Sequence, residues 1–155
     1  MNILKFGGTS VGSVESISSL LQILEKENQQ AEKPIIVLSA MSGVTNFLTS
    51  MAEKAALAKD YSNELKAIEQ RHFEVVRALL PASAQNPVLT KLKLYFNELE
   101  ELLQAIFNLQ ELSLQAKDLI LSYGERCSTF MVSQIAKQQI PAAMFADAAQ
   151  LIKTD

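Results

Sequence analysis

Two short apolar segments near the start of the chain predict a pair of β-strands. Residues 3–6 are apolar apart from one lysine, and residues 34–40 form a longer run rich in β-branched side chains. The second run shows no polar alternation, so we expect its strand to be buried on both faces. Between the runs, a helix capped by Ser13 is predicted by apolar residues at helical spacing, namely Ile17, Leu20, Leu21 and Leu24. The order strand, glycine-rich turn, helix and strand predicts a βαβ unit with parallel strands.

The middle of the chain has the apolar periodicity of helices. Four stripes are visible, over residues 44–55, 65–79, 92–106 and 119–131. Small residues at 82–85 predict a loop, and Asn86 followed by Pro87 is typical of a helix start. A third strand is predicted at 142–146, which makes the helices an insertion between the second and third strands of one α/β domain. Because two or three strands make a poor sheet, we expect the chain to be the N-terminal part of a longer protein.

Composition narrows the class of protein. The 155 residues are 48% apolar and 20% charged with a net charge of −3, which favours a globular protein over a disordered one. No apolar run approaches the roughly 18 residues needed to cross a bilayer. Lysine and arginine are scattered, which argues against nucleic-acid binding. The single cysteine, Cys127, cannot form an internal disulfide, so we expect a soluble protein of the reducing cytoplasm.

The first candidate site follows the first strand, where Lys5 precedes Gly7, Gly8, Thr9 and Ser10. Open α/β sheets bind ligands at the carboxyl ends of their strands. Two adjacent glycines allow close approach of a ligand, with φ values that a β-carbon forbids, and their N–H groups suit phosphate oxygens. The lysine precedes the glycines, unlike the Walker arrangement. The alternative interpretation is a tight strand-to-helix turn with an incidental lysine.

The second candidate site follows the second strand. Ser39, Ser42, Thr45 and Asn46 offer neutral donors and acceptors that could orient a small polar substrate. If the two strands are neighbours, this loop opens on the same sheet edge as the first. The alternative is ordinary helix capping by Ser42 or Thr45, which is the simpler explanation of this motif alone.

The third candidate site lies in the last long helix. Ser122, Glu125 and Thr129 form a polar stripe, and a carboxylate in a glycine-interrupted apolar helix is a candidate for binding an ammonium group. The alternative is a solvated face on which Glu125 pairs with a cation. Arg126 is either such a surface partner or a brace for Glu125.

The remaining reactive side chains do not assemble into another site. His72 is the only histidine and lies on an apolar stripe, which predicts a core residue. Without a second histidine or cysteine, neither a zinc site nor a histidine-activated nucleophile can be built. Cys127 lies on an apolar face, and we expect it to be an inert packing residue.

The three motifs together resemble the successive signatures of the aspartokinases, in the amino-acid kinase superfamily. They are residues 5–12 (KFGGTSVG), 37–46 (VLSAMSGVTN) and 122–126 (SYGER). The resemblance implies a three-layer α/β/α sandwich around a mostly parallel sheet, incomplete in this chain. It also implies transfer of the ATP γ-phosphoryl group to the β-carboxylate of L-aspartate. The product would be 4-phospho-L-aspartate, the first intermediate toward lysine, threonine and methionine.

The resemblance also implies roles for individual residues. Lys5 would offset charge on the transferring phosphoryl group, which Gly7, Gly8, Thr9 and Ser10 would contact. L-aspartate would be held by Ser39, Thr45 and Glu125, the last facing its ammonium group. Mg²⁺ would accompany ATP, and the full-length protein would be a homo-oligomer.

Two departures from the family pattern bear on these expectations. Family members often have Asp-Ala-Arg near the third strand, where this chain has Asp147-Ala148-Ala149. Family catalytic domains also continue beyond this length, so residues 1–155 would lack the nucleotide-binding half and the regulatory domains and be inactive alone. The alternatives are an amino-acid kinase with a glutamate-like substrate, or a non-catalytic helical interaction module.

Overall fold

The computed structural model describes residues 2–152, which form an α/β fold with two strands and six α-helices. In chain order these are β1 (Ile3–Phe6), α1 (Val14–Asn28), β2 (Ile35–Leu38), α2 (Val44–Ala56), α3 (Ser62–Leu79), α4 (Ala82–Leu109), α5 (Leu114–Ala136) and α6 (Ala148–Leu151). A short 3-10 helix, Gly8–Val11, connects β1 to α1. None of the described helices is both long enough and apolar enough to traverse a membrane.

The predicted βαβ unit is confirmed. β1 and β2 pair in parallel, with Ile3 opposite Ile35 and Phe6 opposite Leu38. Ser13 caps α1 through a reciprocal pair of hydrogen bonds with Ser16, each side chain accepting from the other residue's backbone N–H. All four apolar residues predicted to face the core from α1 are buried.

The prediction that β2 is buried on both faces is wrong for the described residues. Ile35 is 50% exposed and Val37 is 43% exposed, whereas Leu38 is buried and Ile36 packs partly against the core. On β1, Ile3 is likewise 54% exposed. Helices of the described chain cover one face of this sheet, so side chains alternate between the core and solvent.

Helices α2 to α5 form the larger part of the core. Their predicted apolar stripes are largely buried, although Leu119, the first residue of the stripe on α5, is 46% exposed. The largest fully buried side chains on these helices are Leu48, Met51, Ile68, His72, Leu92, Leu99, Leu103, Ile120, Met131 and Ile135. Because each helix buries its stripe against at least two others, the bundle is held by packing among its own members.

The predicted start of α4 is wrong. Residues 82–85 are its first turn and not a loop, and Pro87 lies inside the helix. The Gln85 side chain donates a hydrogen bond to the carbonyl oxygen of Leu80, at 2.9 Å, and so ties this turn to the end of α3. A proline here removes one backbone hydrogen bond, which burial along the other 27 residues of α4 outweighs.

The predicted third strand is also wrong within the described residues. Segment 142–146 has no ladder, and the Ala143 N–H instead donates to the Ile140 carbonyl at 2.9 Å in a turn. Asp147 then caps α6 by accepting from the Ala149 N–H. A strand exists only through pairing, and β1 and β2 pair with each other alone. Within the described residues, the helices after β2 are therefore not followed by another strand of this sheet.

Candidate functional site

The loop after β1 carries the first predicted motif. Lys5 is exposed near the end of β1, in register with Val37, and forms no ion pair with another described residue. Gly7 has a φ of −78°, which any residue adopts, and among the described glycines only Gly43 has a positive φ. The expectation that Gly7 and Gly8 need φ values closed to other residues is therefore wrong.

Space, and not backbone conformation, explains the glycine at position 8. A β-carbon on Gly8 would lie 3.0 Å from the Ala40 carbonyl oxygen, which is closer than most real contacts of that kind. A β-carbon on Gly7, in contrast, would meet no described atom within 4 Å. Gly8 is needed where the two loops touch, whereas Gly7 borders open space at the end of β1. Thr9 beside them is exposed and Ser10 is half-buried.

The loop after β2 lies directly against the first loop. The Ser39 N–H donates to the Phe6 carbonyl and the Ser42 N–H donates to the Gly8 carbonyl, each at 3.1 Å. Gly43, at φ 80° and ψ −13°, is the third residue of a turn closed by a 3.0 Å hydrogen bond from the Val44 N–H to the Met41 carbonyl. These values define a type II turn, which requires a positive φ at this position and hence favours glycine.

The capping explanation of the second motif is wrong. Gly43 occupies the N-cap of α2, and no side chain caps that helix. The hydroxyl groups of Ser42 and Thr45, both on exposed residues, are therefore not used to start α2. Ser39 is half-buried at the end of β2.

Helix α5 brings the third motif onto the second. A β-carbon on Gly124 would lie 2.8 Å from the β-carbon of Ala40, so only glycine allows the helix to approach this closely. One turn later, the buried Ser128 hydroxyl donates to the Ser39 carbonyl at 2.7 Å. Glu125 lies between these two contacts, is exposed, and forms no ion pair with another described residue. The structure thus brings the three predicted motifs together.

Arg126 does not brace Glu125. Its guanidinium group pairs with Asp147 at 3.3 Å and lies 4.0 Å from a carboxylate oxygen of Glu98. It also stacks between two rings, 4.8 Å from the centroid of Tyr95 and 4.9 Å from that of Tyr123. Arg126 therefore joins α4, α5 and the start of α6, and Asp147 of the unusual 147–149 sequence has a defined partner.

His72 and Cys127 are core residues, as predicted. Both line a small, dry apolar void beneath Gly124, and the His72 Nε2 atom is buried without a hydrogen-bond partner. Burial lowers the pKa of His72 to about 4 and raises the pKa of Cys127 to about 12. The imidazole is therefore neutral, and the thiol is not a nucleophile at neutral pH.

Sequence reasoning missed Arg71 and the role of Ser128. The Arg71 side chain extends from α3 and donates to two backbone carbonyls, at 2.9 Å to Ser42 and at 3.3 Å to Gly12. No sequence signal marks such a contact, since any residue supplies a carbonyl and the partners are 29 and 59 positions away.

An open cleft of about 320 Å³ lies beside the first loop. It is lined by Phe6, Thr9, Ser10, Ser16, Ser19, Leu20 and Ile23. Two of these residues, Thr9 and Ser10, belong to the predicted phosphate-binding motif. The cleft does not include Ser39, Thr45 or Glu125, so the three predicted motifs do not share it.

Comparisons with known proteins agree with these motifs. The chain is 36% identical over 132 residues to aspartokinase 1, chloroplastic, from Arabidopsis thaliana, which covers 82% of this chain and 22% of the relative. It is 29% identical over 142 residues to the bifunctional aspartokinase/homoserine dehydrogenase of Buchnera aphidicola, covering 90% of this chain and 17% of that protein. The chain thus spans about a fifth of the length of these relatives.

The fold agrees with a solved structure as well. Escherichia coli aspartokinase III, in complex with lysine and aspartate, matches with a TM-score of 0.77 at 24% identity, over 90% of this chain and 29% of that one. The same enzyme in complex with aspartate and ADP matches equally well. At this level of identity the likeness establishes the fold. Residues 1–153 match the Amino acid kinase family, and the chain therefore belongs to that family.

Proposed function

We propose that this chain is the amino-acid-binding and phosphate-binding part of an aspartate kinase. The complete enzyme would transfer the γ-phosphoryl group of ATP to the β-carboxylate of L-aspartate, giving 4-phospho-L-aspartate on the route to lysine, threonine and methionine. The remaining nucleotide-binding half and any regulatory domains would belong to a longer protein, and residues 1–155 alone would be inactive. Its setting would be the cytoplasm, where a single unpaired cysteine is ordinary.

One observation carries the proposal. The loops after β1 and β2 are joined by the hydrogen bond from Ser42 to Gly8, and α5 is joined to the second loop by the hydrogen bond from Ser128 to Ser39. A cationic, a hydroxyl-rich and a carboxylate-bearing segment thereby meet at the carboxyl ends of two parallel strands. This is where α/β sheets bind ligands.

The phosphate side of the site would be formed by the first loop. Gly7 borders open space and has an ordinary φ, so nothing within the described residues requires a glycine there. A phosphate oxygen approaching the backbone would supply that requirement. Lys5, exposed and without an ion pair to another described residue, would offset charge on the transferring group, and Gly8, Thr9 and Ser10 would complete the contacts.

The amino-acid side would be formed by Ser39, Thr45 and Glu125. Thr45 is exposed and does not cap α2, and Glu125 is an exposed carboxylate without a cationic partner among the described residues. An ammonium group from the substrate would provide that partner. E. coli aspartokinase III shares this fold and has been crystallised in complex with aspartate and ADP. This supports an amino acid and a nucleotide as the two ligands of the proposed site. Mg²⁺ would accompany ATP and neutralise phosphate charge.

The direct test traps the acyl phosphate as a hydroxamate. ATP with Mg²⁺ would be offered with L-aspartate or L-glutamate, to this chain and to the product of its uninterrupted gene. We expect signal from the longer product with L-aspartate only. Signal with L-glutamate instead would assign a different amino-acid kinase. Silence from a folded long product would overturn the kinase proposal and favour an interaction module.

Point variants of the long product test the residue roles. Lys5→Met should lower kcat by about 100-fold, because a preorganised charge at the developing anion is lost, whereas Lys66→Met on the exposed face of α3 should not. Glu125→Gln should raise the KM for aspartate by about tenfold or more, with Glu101→Gln as its control. An unchanged KM in Glu125→Gln would remove that residue from the substrate site.

Gly7→Ala separates phosphate contact from folding. Its β-carbon would meet no described atom, so the free energy of unfolding should be unchanged. We nevertheless expect the KM for ATP to rise or kcat to fall by about tenfold, since the β-carbon would occupy the space of the phosphate. Full activity in Gly7→Ala would contradict phosphate binding at this position.

A further inference from the structure

Arg71 joins the two loops of the candidate site. One guanidinium nitrogen donates to the Ser42 carbonyl at 2.9 Å and the other terminal nitrogen donates to the Gly12 carbonyl at 3.3 Å. Gly12 ends the loop that carries the glycine motif, and Ser42 lies in the loop that carries Ser39 and Thr45. A single side chain is therefore bonded to both loops at once.

The base of this side chain is rigidly held. Arg71 lies on α3 next to His72, which is fully buried, with its Nδ1 atom 2.7 Å from the Ile68 carbonyl and its ring 5.4 Å from that of Phe96. Val75, one turn further along α3, is also buried. The helical bundle thus fixes the position from which the guanidinium group reaches the loops.

The receiving carbonyl on the second loop is also set in place. In the type II turn closed by Met41 and Val44, the positive φ of Gly43 fixes the orientation of the Ser42–Gly43 peptide. That peptide carries the carbonyl that accepts from Arg71. The same turn leads into α2 and Thr45, so the contact bears on the orientation of a proposed substrate-binding residue.

The charge of Arg71 is not cancelled locally. None of the ion pairs among the described residues involves Arg71, and both of its hydrogen bonds go to neutral carbonyls. A positive charge without an ion pair among the described residues therefore lies beside two loops proposed to hold a phosphate and a carboxylate.

We propose that Arg71 is a positioning residue of the kinase site, which holds the phosphate-binding and amino-acid-binding loops together and adds positive potential beside them. This inference rests on the proposed function. It predicts a joint effect on both substrates, because one side chain supports both loops. A residue that only stabilised the fold would change neither KM at temperatures well below the melting transition.

The test uses the product of the uninterrupted gene and three variants. Arg71→Met should lower kcat/KM by about 10- to 100-fold, the range expected for two partly solvated hydrogen bonds of ordinary net strength, with the KM for ATP and the KM for aspartate both raised. Arg71→Lys keeps the charge but not the forked geometry, so it should recover part of this loss. Arg77→Gln, on the same helix but with its guanidinium over the Phe73 ring, is the control and should stay within about twofold of wild type.

Amide hydrogen exchange gives a readout independent of activity. In Arg71→Met, peptides covering 7–13 and 39–46 should exchange faster together, while α4 is unchanged. Unchanged exchange and KM values in an active enzyme would overturn the role of Arg71 and leave the kinase proposal standing. If the wild-type long product is inactive but exchange is still faster in Arg71→Met, the kinase proposal is overturned. Arg71 is then only a structural link between the loops.

Discussion

The helical bundle and the two-stranded sheet are held together in different ways. In the bundle, Leu92 and Leu99 on α4 are 0% exposed, and each helix is covered by its neighbours. In the sheet, Ile3 and Ile35 are about half exposed, at 54% and 50%. Burial of apolar side chains in the bundle therefore contributes most to the stability of the described chain. The sheet mainly positions the two loops of the candidate site. The bundle that stabilises the fold and the loops of the candidate site are therefore different parts of the molecule. They contact each other where α3 and α5 reach those loops.

The largest expected effect is a cavity in the bundle. Leu99→Ala should lower the free energy of unfolding by about 3 kcal/mol, since it removes buried methyl groups from a tightly packed position. Urea denaturation followed by circular dichroism would measure the change. A loss below about 1 kcal/mol would mean that the bundle can collapse around the cavity and is less rigid than its packing indicates.

A pH change should act on the bundle through His72. Its folded pKa of about 4 is below the usual 6.5, so the unfolded chain takes up a proton between these values that the folded chain does not. Stability is therefore unaffected by this group above pH 6.5 and falls as the pH is lowered, by about 2 to 3 kcal/mol at pH 4.5.

His72→Phe provides the comparison for that prediction, because it fills the site and cannot titrate. Its stability should fall less between pH 7 and pH 4.5 than that of the wild type, by the amount His72 contributes. Parallel pH profiles for the two proteins would show that His72 is protonated in the folded state or is solvated at low pH.

The joint between the two regions is tested at Gly124. Gly124→Val would force α5 away from Ala40, because even a β-carbon on residue 124 would lie only 2.8 Å from the β-carbon of Ala40. We expect a loss of about 2 kcal/mol from overpacking, together with a higher KM for aspartate in the long product. A variant of unchanged stability with an altered KM would show that the substitution affects the site alone. An unaltered KM would show that the position of α5 does not influence substrate binding.

The smallest effect is expected on the open face of the sheet. Ile35→Thr should change the free energy of unfolding by no more than about 0.5 kcal/mol in this chain, because half of the side chain is already in water. A loss above about 2 kcal/mol would show that this face is covered in solution, and would remove the contrast with the bundle. Sedimentation at the same protein concentrations would tell whether a second copy provides the cover.

Local signals were sufficient for much of the fold. The cap at Ser13, the stripe on α1 and the core placement of His72 all follow from spacing along one helix, and the structure confirms them. The start of α4 was placed too late in the sequence. Asn86-Pro87 is typical of a helix start, and nothing in the local sequence shows that Pro87 lies inside a longer helix. The strand predicted at 142–146 does not form, because a strand depends on pairing with a neighbour that no local pattern reveals.

The candidate site was predictable in its parts and less so in its assembly. Glycine motifs after two strands indicated a common sheet edge, and the structure places their loops in contact. The conformational argument for Gly8 was wrong, since its role is to leave space for Ala40, which is distant in sequence. The contacts of Arg71 were not predictable. They are made to backbone carbonyls, which every residue has, so the side chains of the partner residues give no signal.

The stacking around Arg126 gives the chain an optical property. It contains no tryptophan and three tyrosines, so its ultraviolet emission comes from tyrosine alone. Two of these, Tyr95 and Tyr123, enclose the Arg126 guanidinium, and the Tyr123 hydroxyl donates to Glu98 at 3.2 Å. The third, Tyr61, packs instead against Phe107. Two of the three emitting side chains of the unlabelled protein therefore lie against Arg126, which directly follows the carboxylate proposed to hold the substrate.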